Sequence, residues 1–226
     1  MSFDAVAEKY DRWYESPEGR YIDSQENGLF LKLVKPQPGQ SILEVGCGTG
    51  HNVLFFEQLG LKVSGVEPSK GMLEVATKRC SPDMYLCPGE AGRLEFQDGS
   101  FDIVVIITAL EFMKDPLSAL REAFRTSRGV VYLGVLNKLS ILGINRRIRA
   151  VITRKGVYCE ARFYTIRELK KMIREVAPEA SIEWGSVLFL PFGLHRYFKW
   201  LDTLLSSGKH PFGGFLGVKA TKAGAA

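Results

Sequence analysis

The sequence predicts an α/β domain whose mainly parallel sheet is covered by helices on both faces. Three observations carry this expectation. Strand-like apolar runs alternate with segments of helical spacing along most of the 226 residues. The run Ile103-Val104-Val105-Ile106-Ile107 is apolar at every position, as a strand buried on both faces must be. One strand-like run leads straight into three glycines at alternate positions, with a helical pattern behind them. The length suits one such domain. With 46% apolar and 24% charged residues, the chain is neither disordered, collagen-like nor coiled coil. Its longest apolar stretch, 103–110, falls well short of the roughly 18 residues a membrane span needs.

In chain order, the strand-like runs are 41–45, 61–66, 84–87, 101–107, 130–135, 181–188 and 215–220. Helices are expected between most of them. Residues 52–59 have apolar side chains at helical spacing, and Ser69 caps a helix reaching about Thr77. Asp115-Pro116 supplies an N-cap and a first helical residue for a helix to about Arg125. Thr165-Ile166-Arg167-Glu168 forms a capping box for a helix to about Val176. Two stretches fall outside the alternation: the helical N-terminal region, 1–35, and the segment 137–165 after the fifth strand. The expectation is a single domain, 1–226, in which the first is a lid and the second a cap over the ligand end of the sheet.

The opening residues MSFDAVAEKYD lack a basic start followed by an apolar run, so a cytoplasmic chain without a signal peptide is expected. The four cysteines, Cys47, Cys80, Cys87 and Cys159, contain no C-x-x-C pair, so they are expected as free thiols and no metal site is predicted. The net charge of +5 is mild. Much of it lies at Lys138, Arg146, Arg147, Arg149, Arg154 and Lys155, which reads equally as a solvated helix face or as a contact for RNA, lipid headgroups or an acidic substrate.

The segment Ile42-Leu43-Glu44-Val45-Gly46-Cys47-Gly48-Thr49-Gly50-His51-Asn52 carries the functional argument. Glycines allow a tight turn and let backbone N–H groups approach a ligand, and the following helix adds the positive end of its dipole. Glu67 lies 21 residues after Gly46, the separation at which a nucleoside-binding βαβ unit places a carboxylate on the ribose hydroxyls. A dinucleotide site needs G-x-G-x-x-G and room for pyrophosphate. Here the spacing is G-x-G-x-G, and Glu44 stands in front of it, where a carboxylate repels pyrophosphate and suits an ammonium group. That combination points to S-adenosylmethionine, which carries an adenosine and a methionine tail.

These residues resemble the class I S-adenosylmethionine-dependent methyltransferases, within them the group that includes the ubiquinone and menaquinone biosynthesis enzymes (the type 11 domain). Residues 42–50 resemble their first motif. Val66-Glu67-Pro68-Ser69 with Met72-Leu73 resembles the acidic ribose loop and its adenine-facing apolar residue. Gly89-Glu90-Ala91 is similar to the G-D-A loop, whose acid meets the adenine amino group, with Glu in place of Asp. Leu94, Phe96 and Ser100-Phe101-Asp102 follow the run before the fourth strand, with Glu95 where proline is usual. Thr108-Ala109-Leu110-Glu111-Phe112 matches the strand end that touches cofactor and substrate. Leu120 to Arg125 matches the helix before the fifth strand, and Arg128-Gly129 replaces the usual Pro-Gly-Gly turn. The resemblance implies a Rossmann-like sheet of seven strands, the last antiparallel and inserted beside the fifth. It implies S-adenosylmethionine as cofactor, released as S-adenosylhomocysteine, held by Glu44, Gly46, Cys47 (through its backbone), Gly48, Gly50, Asn52, Glu67, Pro68, Met72, Glu90, Ala91, Thr108 and Leu110. It also implies that the N-terminal segment holding Tyr10, Trp13 and Tyr14 folds over the cofactor, with Tyr10 as a contact.

Transfer from a sulfonium is an in-line displacement of an activated methyl group, so positioning supplies much of the catalysis. A base is needed where the nucleophile arrives protonated. The candidates are Glu111, at the fourth strand's end, and His195, after the apolar run 187–194. No Asp-Pro-Pro-Tyr or Asn-Pro-Pro-Tyr follows that strand and no cysteine follows a proline, which argues against a nucleobase exocyclic amine and against cytosine C5 as acceptor. Oxygen, aliphatic nitrogen and activated carbon remain. Apolar residues interleaved with basic ones over 136–155, and Phe189, Phe192, Tyr197, Phe198 and Trp200, fit a small apolar or aromatic acceptor. The expected partner is therefore a small molecule, with no stable nucleic acid partner and at most peripheral membrane contact. The alternative is an RNA- or protein-directed enzyme that grips its substrate with Arg146 to Lys155.

Overall fold

A computed structural model describes residues 13–140, 161–190, 193, 205 and 210–224. The strands are β1 (Ser41–Val45), β2 (Lys62–Glu67), β3 (Tyr85–Pro88), β4 (Phe101–Ile107), β5 (Ser127–Leu136), β6 (Ser181–Val187) and β7 (Phe215–Thr221). The helices are α1 (Pro17–Val34), α2 (His51–Gln58), α3 (Lys70–Arg79), α4 (Pro116–Thr126) and α5 (Ile166–Val176), with a 3₁₀ turn at Leu110–Phe112. The strands form one sheet in the order β3-β2-β1-β4-β5-β7-β6. Strand β7 runs antiparallel to both of its neighbours and the other pairs are parallel. This is the seven-stranded topology that the resemblance implied. The order reverses between β1 and β4, and a crevice opens at such a switch point beyond the carboxyl ends of the strands.

Strand periodicity sorts the core into two layers. Ile103, Val105 and Ile107 face α1 and α2, where they meet Phe30, Val53 and Phe56. Val104 and Ile106 face the opposite way, toward Leu120 and Phe124 of α4 and Leu169 and Ile173 of α5. Ile103 to Ile107 are each at most 8% exposed, which accounts for a run with no polar residue. Each such side chain contributes roughly 1.5–3 kcal/mol on full burial. The caps behave as their side chains dictate. Ser69 accepts from Met72 N, Asp115 from Ser118 N, and Thr165 with Glu168 completes the capping box.

One expectation changes at the start of β5. Arg128-Gly129 forms no separate turn, because the strand begins at Ser127, immediately after α4. Phe101 pairs with Ser127 and Ile103 with Val130, so β5 carries one extra residue as a bulge. Asp102 ties the bulge down: Oδ1 accepts from Arg128 Nη1 at 2.9 Å, and Oδ2 accepts from Ser41 N and Oγ at 2.8 Å each.

The expected lid and cap are described in part. The second half of α1 is core, with Leu29 and Phe30 at most 3% exposed. Ile22 on α1, with Trp13 and Tyr14 just before it, reaches the ligand end of the sheet. The ends of the cap segment are joined, Lys138 N donating to Tyr164 O at 2.9 Å, and its first residue is tied to the stretch before β7, Asn137 Nδ2 donating to Pro211 O and Gly213 O at 2.8 and 2.7 Å. Residues 141–160, with the basic cluster Arg146 to Lys155, lie outside the described residues. Among the described residues no helix is long and apolar enough to cross a membrane, and no cluster of His, Cys, Asp or Glu is placed to hold a metal. Cys47, Cys80 and Cys87 are free thiols.

Candidate active site

The glycine loop is shaped by three left-handed positions, Gly46 (φ +81°), Gly48 (φ +53°) and Gly50 (φ +80°). Their surroundings differ. A Cβ on Gly46 would sit 2.6 Å from Ala109 Cβ, and one on Gly50 would sit 2.8 Å from Cys80 Sγ. A Cβ on Gly48 would meet nothing within 4 Å, because this residue borders open space. Gly46 N and Cys47 N both donate to Val66 O, at 2.7 and 3.1 Å, which fixes the loop against β2.

Glu67 closes β2 and is 8% exposed. Its Oε2 accepts from Gly48 N at 2.9 Å and its Oε1 from Ser69 N at 3.0 Å. Glu44, one residue before the end of β1, is 1% exposed. Its Oε1 accepts from Asn52 Nδ2 at 2.7 Å, and its Oε2 has no partner among the described residues. Burial pushes the Glu44 carboxyl up to about 8; the bond from Asn52 opposes that rise and the neighbouring Glu67 charge adds to it.

These groups border a cavity of about 530 Å³ beyond the ends of β1, β2 and β4. Glu44, Gly46, Cys47, Gly48, Asn52, Glu67, Pro68, Met72, Glu90, Ala91 and Thr108 all line it, so most of the residues expected at the cofactor come together. Gly50 stands behind the loop against Cys80 and Ala76. The Cys47 side chain packs beneath Gly65, where a Cβ would lie 2.8 Å from its Sγ. Burial and the nearby carboxylates of Glu44 and Glu67 raise this thiol far above its ordinary range, so it is no nucleophile. Tyr10, His195, Phe192, Tyr197, Phe198 and Trp200 lie outside the described residues.

Leu110 and Glu111 stand elsewhere than the sequence predicts. Thr108 adopts φ +47°, and the 3₁₀ turn that follows turns both next side chains inward, leaving Ala109, Phe112 and Met113 on the cavity. Leu110 is fully buried in the core shared with α4. Glu111 is 1% exposed, and its Oε1 accepts from Leu136 N at 2.6 Å. Its Oε2 has no partner among the described residues, and burial pushes the carboxyl up to about 7. A carboxyl raised on folding stabilises the fold below its unfolded value, and that contribution is lost as pH rises from about 4.5 to 7. Glu111→Gln keeps an acceptor for Leu136 N and cannot ionise. Its melting temperature is therefore expected to fall less than the wild type's between mildly acid and mildly alkaline pH, with methyl transfer retained. Loss of transfer in a folded variant would return Glu111 to the chemistry.

Three polar residues near the cavity were not singled out from the sequence. His51, the first residue of α2, and Glu26, on α1, line it. Asp23, also on α1, bonds His51: its Oδ1 lies 2.8 Å from His51 Nε2. Tyr14 stacks on the His51 ring at 3.8 Å and 18°. The signal available in the sequence was a histidine directly behind the glycine loop, which the helix-start pattern absorbed.

The methyltransferase domain family of type 11 matches residues 43–133. An uncharacterized protein of Methanocaldococcus jannaschii is 31% identical over 176 residues, 77% of this chain and 79% of that one. The demethylmenaquinone methyltransferase of Renibacterium salmoninarum is 36% identical over 126 residues, 56% of this chain; the chain spans about half, 52%, of that relative's length. The crystal structure of an S-adenosylmethionine-dependent methyltransferase of Thermotoga maritima, described as a possible histamine N-methyltransferase, superposes with a TM-score of 0.75 at 28% identity, covering 97% of each chain. The buried, unpartnered oxygen of Glu44 fits an ammonium group, and the open side of Gly48 next to Glu67 fits a nucleoside. With these residues around its cavity and these likenesses, the chain belongs to the class I S-adenosylmethionine-dependent methyltransferases, in the type 11 domain group.

Proposed function

We propose that this methyltransferase acts on a small molecule that is apolar or aromatic in part. The observation that carries this reading is the wall facing the cofactor-side residues: Trp13, Tyr14, Ile22, Phe112 and Met113 line the same cavity. The names of the relatives agree with it, since one is a demethylmenaquinone methyltransferase and another is described as a possible histamine N-methyltransferase. When bound, S-adenosylmethionine supplies a methyl group activated on a sulfonium. In this reading Glu44, steadied by Asn52, takes the ammonium group, and Glu67 accepts from the ribose hydroxyls. The backbone of 46–50 holds the amino-acid end. Pro68, Met72 and Ala91 pack against the adenine, and Glu90 takes its amino group. Thr108 borders the end of the cavity nearer the acceptor. The N-terminal stretch to residue 35 and the segment 137–165 then serve to wall the acceptor and exclude water.

The test uses S-adenosylmethionine labelled in its methyl group, the purified protein, and a cell extract depleted of small-molecule methylation products. Label is expected in the soluble fraction, with an organic-extractable product. Label confined to acid-precipitable material would overturn the reading in favour of RNA or protein, and nuclease or protease treatment would say which.

A further inference from the structure

We propose that His51, held by Asp23, accepts the proton of an oxygen or nitrogen nucleophile, an assignment that rests on the small-molecule reading above. Among the described residues His51 is the one imidazole lining the cavity. Its Nε2 lies 2.8 Å from Asp23 Oδ1, and both side chains are 24% exposed, too enclosed for a loose surface pair. Tyr14 covers one face of the ring. The ring is thus fixed by a hydrogen bond at one edge and a stack on one face.

A neutral histidine has one N–H donor and one bare nitrogen, and the partner of one nitrogen decides which is which. A carboxylate accepts and cannot donate. Asp23 therefore holds the proton on Nε2 and leaves Nδ1 bare. Glu26 on α1 and Glu44 on β1 line the same cavity as His51. The alternative base, Glu111, does not line the cavity. In the step, the nucleophile's O–H or N–H proton passes to Nδ1. Its electron pair forms the bond to the methyl carbon, and the C–S pair returns to sulfur. Asp23 is a positioning residue that fixes the tautomer.

Two readouts test this on the full chain. In the first, the protein is labelled with ¹⁵N-histidine and saturated with S-adenosylhomocysteine. Long-range ¹H–¹⁵N spectra, assigned with His51→Gln against the other two histidines, are expected to show the Nε2–H tautomer above neutral pH. Asp23→Asn is expected to lose that single tautomer. An Nδ1–H ring, or a ring indifferent to Asp23→Asn, would overturn the assignment. In the second, His51→Gln is expected to lower labelling of the small-molecule fraction by roughly 100-fold or more with S-adenosylhomocysteine affinity kept, and Asp23→Asn to lower it by a smaller factor. Wild-type labelling by His51→Gln would overturn the proposal, and so would affinity falling in step with rate, since His51 would then serve cofactor binding. If the wild type labels no small molecule, the functional reading fails on its own, and the tautomer still decides for or against the dyad.

Discussion

Gly48→Ala is expected to abolish measurable S-adenosylhomocysteine binding by calorimetry, a loss of about 100-fold or more, equivalent to roughly 2.7 kcal/mol, while the protein remains folded. Gly48 has φ +53°, near the centre of the left-handed region, where an L-residue costs roughly 1–2 kcal/mol. Nothing lies within 4 Å of the added methyl, so the folded state accommodates it. That free space belongs to the cavity wall, at the residue whose N–H meets Glu67 Oε2 at 2.9 Å. The methyl therefore occupies the approach a ligand needs. Gly46→Ala is the control. Its Cβ would lie 2.6 Å from Ala109 Cβ, so it is expected to lower the melting temperature more than Gly48→Ala does. Full binding by Gly48→Ala would show that the loop does not cradle the cofactor.

The contrast between these glycines also marks how far the sequence can be read. Three glycines at alternate positions behind an apolar strand imply left-handed turns, and all three have positive φ. Glu67 is legible for a similar reason: a βαβ unit of ordinary helix and loop lengths leaves little choice about which residue ends its second strand. Strand β4 is legible because the apolar run 103–107 forms the body of the strand Phe101–Ile107. The features that escaped depend on contacts across the fold. Asp23 precedes His51 by 28 residues, on a helix whose spacing says nothing about what it faces. Leu110 and Glu111 follow a strand end at which cofactor contacts are expected. Their inward turn is set by Thr108 and the 3₁₀ turn, and no spacing reveals it. Arg128-Gly129 has turn composition, and only the pairing of Ser127 with Phe101 converts it into a bulge.

Glu44 leads to the second large effect, a proton released when the ligand binds. Burial holds this carboxyl up to about 8, so without a ligand's charge beside it, it is mostly protonated at neutral pH. An ammonium group placed against it favours the ionised form. Binding near pH 7 is therefore expected to release close to one proton per ligand. Calorimetry in buffers of low and high ionisation enthalpy reads this as a slope near one in the apparent binding enthalpy. Affinity should rise about tenfold per pH unit toward pH 8 and then level off, because an α-amino group itself loses charge near 7.7–8.0. Glu44→Gln should remove the slope and weaken binding, and a wild-type slope of zero would separate Glu44 from the ammonium group. Stability carries the same sign. A carboxyl raised from 4.5 to about 8 on folding stabilises the empty protein fully below 4.5, and that contribution is lost as pH rises through 8. The empty protein should therefore lose stability from acid toward neutral pH, while the stabilisation by S-adenosylhomocysteine grows over the same window. The ligand's ammonium group supplies the partner that the buried carboxylate otherwise lacks.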